Sequence, residues 1–286
     1  MAWNKERILP VERVLFRSGI VKVGRFDCPA SHACFPRTAP LQNDLLVFVR
    51  HPLWWRRGSG DYRFVEPGGA LLHRAGREIE RRSVNARGDR ADWFGIRPDI
   101  FRATLTEHGA DPVLVTERAL SLVTAPRLRW RAHRLLTDVA AQRSDPLAVE
   151  EGALALLAAV AEGLSGWTRT RSAGGRGATR ARRRRLVDRT RLWICAHPDS
   201  GLGLAGIALE VGTSAWHLAR IFREECGVTL HSYRQHQRLG RAIARLTAGP
   251  EDLSALALDL GYSSHSHFSR DFRRHVGVPP SRLKSP

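Results

Sequence analysis

Lysine is almost missing from this 286-residue chain: Lys5, Lys22 and Lys284 are the whole complement, although Lys and Arg together number 46 against 28 Asp and Glu. A GC-rich genome favours Arg over Lys and raises basicity everywhere, so total charge alone does not identify a function. Long apolar runs are missing too. None approaches the ~20 residues that cross a bilayer as a helix, which excludes a spanning segment of that kind. The opening "MAWNKERILPVERVLF" has no apolar signal-peptide core, so a cytoplasmic protein without a membrane partner is expected. The four cysteines, Cys28, Cys34, Cys195 and Cys226, are scattered and form no C-x-x-C pair. That excludes a dense disulfide framework and points to reduced, buried thiols. Residues 1–125 contain no H-x-H, and no G-x-S-x-G, P-loop or properly flanked G-x-G-x-x-G is present. Neither catalysis nor a cofactor is expected.

What the chain does have is positive charge in one place. Residues 166–286 hold 21 Arg and Lys against 9 Asp and Glu, while residues 1–165 hold 25 against 19. Codon bias explains the choice of Arg better than it explains this asymmetry. A polyanion partner demands such concentration, because neutralising phosphates releases counterions. With 43% apolar residues the chain can build a core, and its length suits two domains.

The texture divides the chain. Residues 11–96 read as short strands, "GIVKVGRF", "DLLVFVR", "DYRFVEPGG" and "ADWFGI", broken by Gly, Pro and Asp, with a turn at "EPGG" before "ALLHRAG". A β-sandwich or barrel is expected, then a helix at 98–108 with Ile100, Phe101 and Leu105 on one face. After "VTAP" at 123–126 the period becomes helical. "PRLRWRAHRLLTDVAAQ" and "DPLAVEEGALALLAAVAEGL" predict an antiparallel hairpin, the second helix capped by Asp145 with Pro146 at its first position. An apolar arc of Leu147, Leu154, Leu157, Ala158, Ala161 and Leu164 needs a partner, and we expect it to help bury a homodimer seam. "SGWTRTRSAGGRGATRARRRR", 165–185, reads as a flexible linker ending in a basic run. Such a run is either a solvated face or a phosphate contact.

The C-terminal part writes one pattern twice. "HLARIFREECG" at 217–227 returns as "HFSRDFRRHVG" at 267–277, and "LAGIALEVGTS" at 204–214 lies over "LSALALDLGYS" at 253–263. Each unit is a short helix, a Gly turn and a longer helix. Ala208 and Ala257 allow close crossing, Gly212 and Gly261 supply turn freedom, and Ser214 and either Ser263 or Ser264 suit the next N-cap. This is the helix-turn-helix pattern in duplicate. Leu218, Ile221 and Phe222 form one inner stripe; Phe268, Phe272 and Val276 form the other. The outer faces carry Ala215, Trp216, Ala219, Arg220 and Arg223, then His265, Ser266, Ser269, Arg270, Arg273 and Arg274. Two ordinary packed helical pairs with solvated arginines are the alternative, which duplication within a basic domain disfavours. Between the units, 229–247 predicts a 19-residue helix with Tyr233, Leu239, Ile243 and Leu246 facing them.

On these residues, 180–284 resembles the DNA-binding domain of AraC/XylS-type transcriptional regulators. "SAWHLARIFREECGVTLHSYRQHQRLGRAIARL" and "LALDLGYSSHSHFSRDFRRHVGVPPSRLK" carry the likeness. It implies seven helices, two of them in successive major grooves, with double-stranded DNA as partner and RNA polymerase as a further one. Matched by position, base-facing sites fall on Trp216, Ala219 and Arg220, then on His265, Ser266, Ser269 and Arg270; Arg223, Arg273 and Arg274 are left for phosphates. Ala219 departs from the polar residue common there, which limits it to a thymine methyl or nothing. The N-terminal part resembles the family's degenerate cupin-like sensor in outline. The fold class is therefore α+β: a cupin-like sensing and dimerisation domain over 1–164, a linker over 165–182, and an all-α tandem helix-turn-helix domain over 183–286. A small-molecule effector is expected, its identity open. A ligand-independent or architectural DNA binder is the alternative.

No metal site is expected. His265 and His267, two apart on a helix, diverge by about 200° and cannot share an ion. Cys28, His32 and Cys34 are one ligand short of a closed zinc site unless His51 or His73 joins; a thiol pair beside a surface His is the competing reading. An alkylation sensor with a similar C-terminal domain needs four clustered cysteines, and two of the four here lie outside 1–164.

Overall fold

The computed structural model describes residues 11–33, 35–38, 41, 43–113, 121–170 and 177–283, with the side chains of 121, 166–170 and 177–178 excepted. The chain forms two units: Met1–Val123 with Arg131–Ala173, and Thr124–Trp130 with Gly174–Pro286. No helix of the described residues is long and apolar enough to cross a membrane.

The first unit is built on β1 (Glu12–Arg17), β2 (Val21–Cys28), β3 (Asp44–Val49), β4 (Leu53–Arg57), β5 (Arg63–Val65), β6 (Ala70–His73), β7 (Ile79–Ser83), β8 (Asp89–Ile96) and β9 (Ser121–Leu122). These pair antiparallel in a sheet ordered β1-β2-β8-β3-β6-β9 and a smaller one ordered β5-β4-β7. The expected turn closes at Glu66, whose carbonyl accepts from Gly69 N at 2.9 Å. Strand side chains alternate between faces. Leu45, Val47, Leu71, Ala91 and Trp93 of the large sheet therefore meet Leu53, Trp55, Val65 and Ile79 of the small one. The other face of the large sheet presents Phe48 and Phe94, ring edge to ring face at 6.0 Å.

That outer face lies beneath helices. α1 (Pro98–Glu107) buries Phe101 and Leu105, as its period predicts. Of the hairpin, α2 (Pro126–Ala140) contributes Leu135, which lies against Gly152 of α3 (Pro146–Thr170). Asp145 caps α3 by accepting from Leu147 N at 2.9 Å. The apolar arc of α3 needs correction. Its buried stripe is Val149, Ala153, Leu156, Leu157, Val160, Ala161 and Leu164, whereas Leu147 is 61% exposed. α3 packs on α1 and β8, which rotates the stripe away from Leu147. Leu157 and Ala161 are consumed inside the chain and are not available to a subunit seam.

The described part of 165–182 is helical where flexible coil is expected. α3 continues to Thr170 and α4 (Gly177–Ala196) begins before the basic run, with 171–176 outside the described residues. Arg and Ala propagate helices well, so few core residues did not mean coil. The second unit continues with α5 (Leu204–Glu210), α6 (Ala215–Cys226), α7 (Leu230–Ala248), α8 (Leu253–Asp259), α9 (His265–Val276) and a 3₁₀ turn (Pro280–Leu283). Where the resemblance implied seven helices, the described residues from 177 onward form six α-helices and that turn.

α7 is the 19-residue helix the sequence predicts, capped by Thr229, whose side chain accepts from Ser232 N. Its first turns bury Leu230 and Tyr233, the latter 5.2 Å from Phe222 of α6. Its last turns give Leu239, Ala242, Ile243 and Leu246 to a core completed by Leu256, Ala257, Phe268, Phe272 and Val276. Each fully buried Phe stabilises by roughly 1.5–3 kcal/mol.

The second repeat differs from the first at one inner position, where buried Asp271 replaces Ile221. Its carboxylate accepts from Tyr262 Oη and Gln235 Nε2, each at 2.8 Å, with His275 Nε2 3.4 Å away. Burial and this contact push the Tyr262 phenol above its ordinary range. Asp271→Ile, which copies the first repeat, leaves two donors without an acceptor and is expected to destabilise by about 1–3 kcal/mol. Adding Tyr262→Phe is expected to restore part of the loss. Urea unfolding of the full chain checks this; additive losses in the double variant would contradict the network.

Candidate nucleic-acid interface

Both helix-turn-helix units are set by backbone geometry before any outward residue matters. Gly212 and Gly261 sit at φ +67° and +74°, a region that L side chains rarely adopt. Each follows the last residue of a seven-residue helix by two positions and turns the chain toward the longer one. Ser214 caps α6 by accepting from His217 N, and Ser264 caps α9 by accepting from His267 N. The choice left open between Ser263 and Ser264 is thereby resolved: Ser263 Oγ instead lies 3.1 Å from His267 Nδ1. Tyr262 stands where the first unit has Thr213, each N–H reaching the corresponding Ala carbonyl (Ala257 and Ala208) at 2.9 Å, so the extra residue in the second turn is Ser263; the Tyr262 ring packs edge-on to Phe268 at 5.4 Å.

The inner stripes are fully buried at Leu218, Ile221, Phe222, Phe268 and Phe272, and 1% exposed at Val276. All outward residues remain accessible. Trp216 is 72% exposed, with the Arg220 guanidinium 5.2 Å from its ring centroid. Arg220 Nη1 also donates to Glu224 Oε1 at 2.8 Å. On α9, His265 Nε2 and Ser269 Oγ lie 3.2 Å apart, and His265, Ser266 and Arg270 are exposed. Arg223, Arg273 and Arg274 are exposed on the last turns, while Ala215 and Ala219 are half-buried. The geometry thus groups Trp216 with Arg220, and His265 with Ser269. It leaves Arg270 as an open fork that can meet an acceptor pair in its plane.

Glu224 was missed by the sequence reading. The signal was available, since Arg220 and Glu224 stand at i and i+4 and face each other on a helix. Its equivalent in α9 is Arg274, so the two outer faces differ in charge at this position. Glu224 also stands 3.7 Å from Arg183, and Glu225 3.9 Å from Arg184. Half of the basic run is therefore turned toward acids of α6, and Arg182 and Arg185 are its exposed members. Other arginines of this unit hold main-chain carbonyls. Arg234 donates to Leu202 O and Arg241 to Cys195 O, both at 2.6 Å, and Arg189 caps Val211 O. Arg129 donates to Thr124 Oγ1 at 3.1 Å and to His236 O at 3.3 Å. The neighbouring His236 is pushed down to about 4, chiefly by burial, so it adds no charge at neutral pH.

Of the Cys28, His32 and Cys34 group, Cys34 lies outside the described residues. Cys28 is buried, with Sγ 3.8 Å from Pro29 O.

Comparison with known proteins places this geometry. A helix-turn-helix domain model matches residues 207–285. The regulatory protein SoxS of Escherichia coli K12 is 38% identical over 89 residues, which cover 31% of this chain and 83% of SoxS. The probable transcription factor PqrA of Proteus vulgaris is 34% identical over 86 residues, 30% of this chain and 70% of PqrA. A solved AraC-type DNA-binding-domain regulator from Chromobacterium violaceum is 27% identical with a TM-score of 0.35, over 36% of this chain and 93% of its own. Two capped helix-turn-helix units on one spacer helix, together with an identity of 38% to a relative covered over most of its length, have one meaning: the chain belongs to the AraC/XylS-type family of DNA-binding transcriptional regulators.

Proposed function

We propose that the protein reads a specific operator with α6 and α9 in two successive major grooves, under the control of a small-molecule effector taken up by the first unit. The observation that carries this reading is α7, a single helix whose two ends are buried in the two helix-turn-helix units. Nineteen residues rise about 28 Å, close to the ~34 Å between major grooves on one face of DNA. Trp216, Ala219 and Arg220 face bases in one groove; His265, Ser266, Ser269 and Arg270 face bases in the next. Arg223, Arg273 and Arg274 take phosphates. The Ala219 methyl suits a thymine methyl and little else. The protein acts as a homodimer and touches RNA polymerase. With Leu157 and Ala161 buried in the chain, the dimer seam uses the accessible part of α3, around Leu147, Leu154 and Ala158.

Arg220→Ala and Arg270→Ala are each expected to cost roughly 1–3 kcal/mol on the operator and to relax preference at one base pair. Arg274→Ala is expected to weaken all sequences alike. Binding titrations of full-length variants on operator and scrambled duplexes test this; equal losses on every duplex for the first two would remove them from base reading.

Glu224 both restrains Arg220 and repels phosphate. Glu224→Gln is expected to tighten DNA binding about two- to fivefold at low salt, with the gain fading as salt rises. A salt-independent change would mean that the carboxylate acts only on the fold of α6.

A rigid spacer makes helical phase matter. Protection of two boxes about 10–10.5 base pairs apart is expected, and five added base pairs turn the second box to the opposite face and abolish tight binding. Footprinting on the wild-type and lengthened operators decides it. Undiminished binding to the longer site would show that α7 is not a ruler, and would favour the architectural alternative.

A further inference from the structure

The interior of the first unit carries hydrogen-bond donors that no function so far assigned uses. Trp55, fully buried on β4, has no acceptor for its indole Nε1–H among the described residues. His73, 4% exposed on β6, has no partner for Nδ1 among the described residues, and the two rings meet edge to face at 5.2 Å. Two residues beyond Trp55, and on the same face of β4, Arg57 lies with its guanidinium 5.9 Å from the Trp55 ring. Its Nη2 donates to Leu72 O at 3.2 Å, which brings the guanidinium across to the strand of His73, while its buried Nε and Nη1 have no acceptor among the described residues. Desolvation together with Arg57 and Arg81 pushes His73 down to about 3, so the ring is neutral, and its Nδ1 donates in one of the two tautomers.

Buried groups of this kind are rarely left unpaired, since each gives up its hydration with nothing in return. Here three lie side by side, and all can donate, His73 as its Nδ1–H tautomer. The acids nearby are engaged elsewhere. Asp89 holds Arg81 at 2.7 Å, Asp44 accepts from Ala75 N at 2.8 Å, and Asp92 stands 3.5 Å from Arg50. Glu66 and Lys22 have contacts of their own. Arg57 is in no ion pair with a described residue, so the cluster carries one uncompensated positive charge. The core residues clustered with Trp55 are apolar: Leu53, Val65, Leu71 and Ile79, with Trp93 in the same cluster.

We infer that this cluster is the head-group site for the effector, and that the effector is a monocarboxylate on an apolar body, held by Arg57, Trp55 and His73. The inference rests on the effector-controlled reading above and gives its ligand a chemical class. An acceptor-only group answers donors that have no other acceptor. A single negative charge matches the Arg57 guanidinium, and the apolar residues beside it suit the rest of the molecule. A phosphate dianion brings a charge more than the site neutralises and a larger desolvation cost.

Calorimetric titration of the full-length protein with octanoate and phenylacetate, beside octanamide, phenylacetamide and inorganic phosphate, tests it. Carboxylate binding is expected, with the amides and phosphate at least tenfold weaker. Arg57→Met is expected to lose roughly 10- to 100-fold in carboxylate affinity, and Trp55→Phe, which keeps the bulk and removes the donor, to lose less. Circular dichroism verifies that each variant is folded, and Trp55→Phe stands in should Arg57→Met not fold. Amides or phosphate binding as tightly as the carboxylates, affinities unchanged in folded variants, or no carboxylate binding at all would each overturn the site while leaving the effector-controlled reading to another ligand. A DNA titration with and without octanoate separates the two: carboxylate binding that leaves operator affinity unaltered upholds the site and sinks its role as the effector's.

Discussion

The packing of α7 against both helix-turn-helix units is the constraint on which the second unit depends. Tyr233 against Phe222 locks its first turns to α6, and Leu239, Ala242, Ile243 and Leu246 lock its last turns to the Phe268–Phe272 core. A helix of this length is marginal by itself. Burial at both ends makes it continuous, and continuity is what converts two small helix pairs into one body with a set spacing. Gly240 in its middle costs about 1 kcal/mol relative to Ala, and a Cβ there would push on the Arg129 guanidinium that lies over it.

Arginine serves two ends in this unit, and the difference is one of position. Arg223, Arg273 and Arg274, on the last turns of α6 and α9, stay exposed to solvent. Arg189, Arg234 and Arg241 instead reach carbonyl oxygens at helix ends or in connections, where unsatisfied groups collect. Formal charge therefore overstates the number of cations free for phosphate. The two repeats have diverged along the same line. The first balances its outer face with Glu224, while the second places Arg274 there and moves its acid inward as Asp271, at the centre of a hydrogen-bonded network.

In the first unit, alternation along β4 and β7 turns what look like polar strands inward. "LWWRR" and "IERRS" put Trp55, Arg57, Ile79 and Arg81 on the core face. Arg81 is kept there by Asp89 and lies 4.7 Å from the Phe26 ring. The same strands hold Glu80 outward, where Arg37 and Arg56 pull its carboxyl down to about 2. An interior built this way is already partly polar, which is a property a ligand can use.

The sequence by itself determined the duplicated helix-turn-helix, its Gly turns, Ser caps, inner stripes and spacer helix. All of these rest on contacts between residues close in the chain, where period and cap chemistry leave few alternatives. The β1, β4 and β7 strands were not individually legible, because an Arg in a strand reads as a surface residue until its facing sheet is known. The buried stripe of α3 was misplaced by rotation for the same reason: an apolar arc wide enough to permit several faces is narrowed only by the element it meets, here α1 and β8. Helix across 177–182 was hidden by a composition that favours helix locally but supplies no core. Asp271, Glu224 and the Trp55–Arg57–His73 cluster are pairings between groups whose meaning lies in what stands opposite them. Only the tertiary structure decides that, because burial and distance across the fold, unlike periodicity along the chain, are not written in the order of residues.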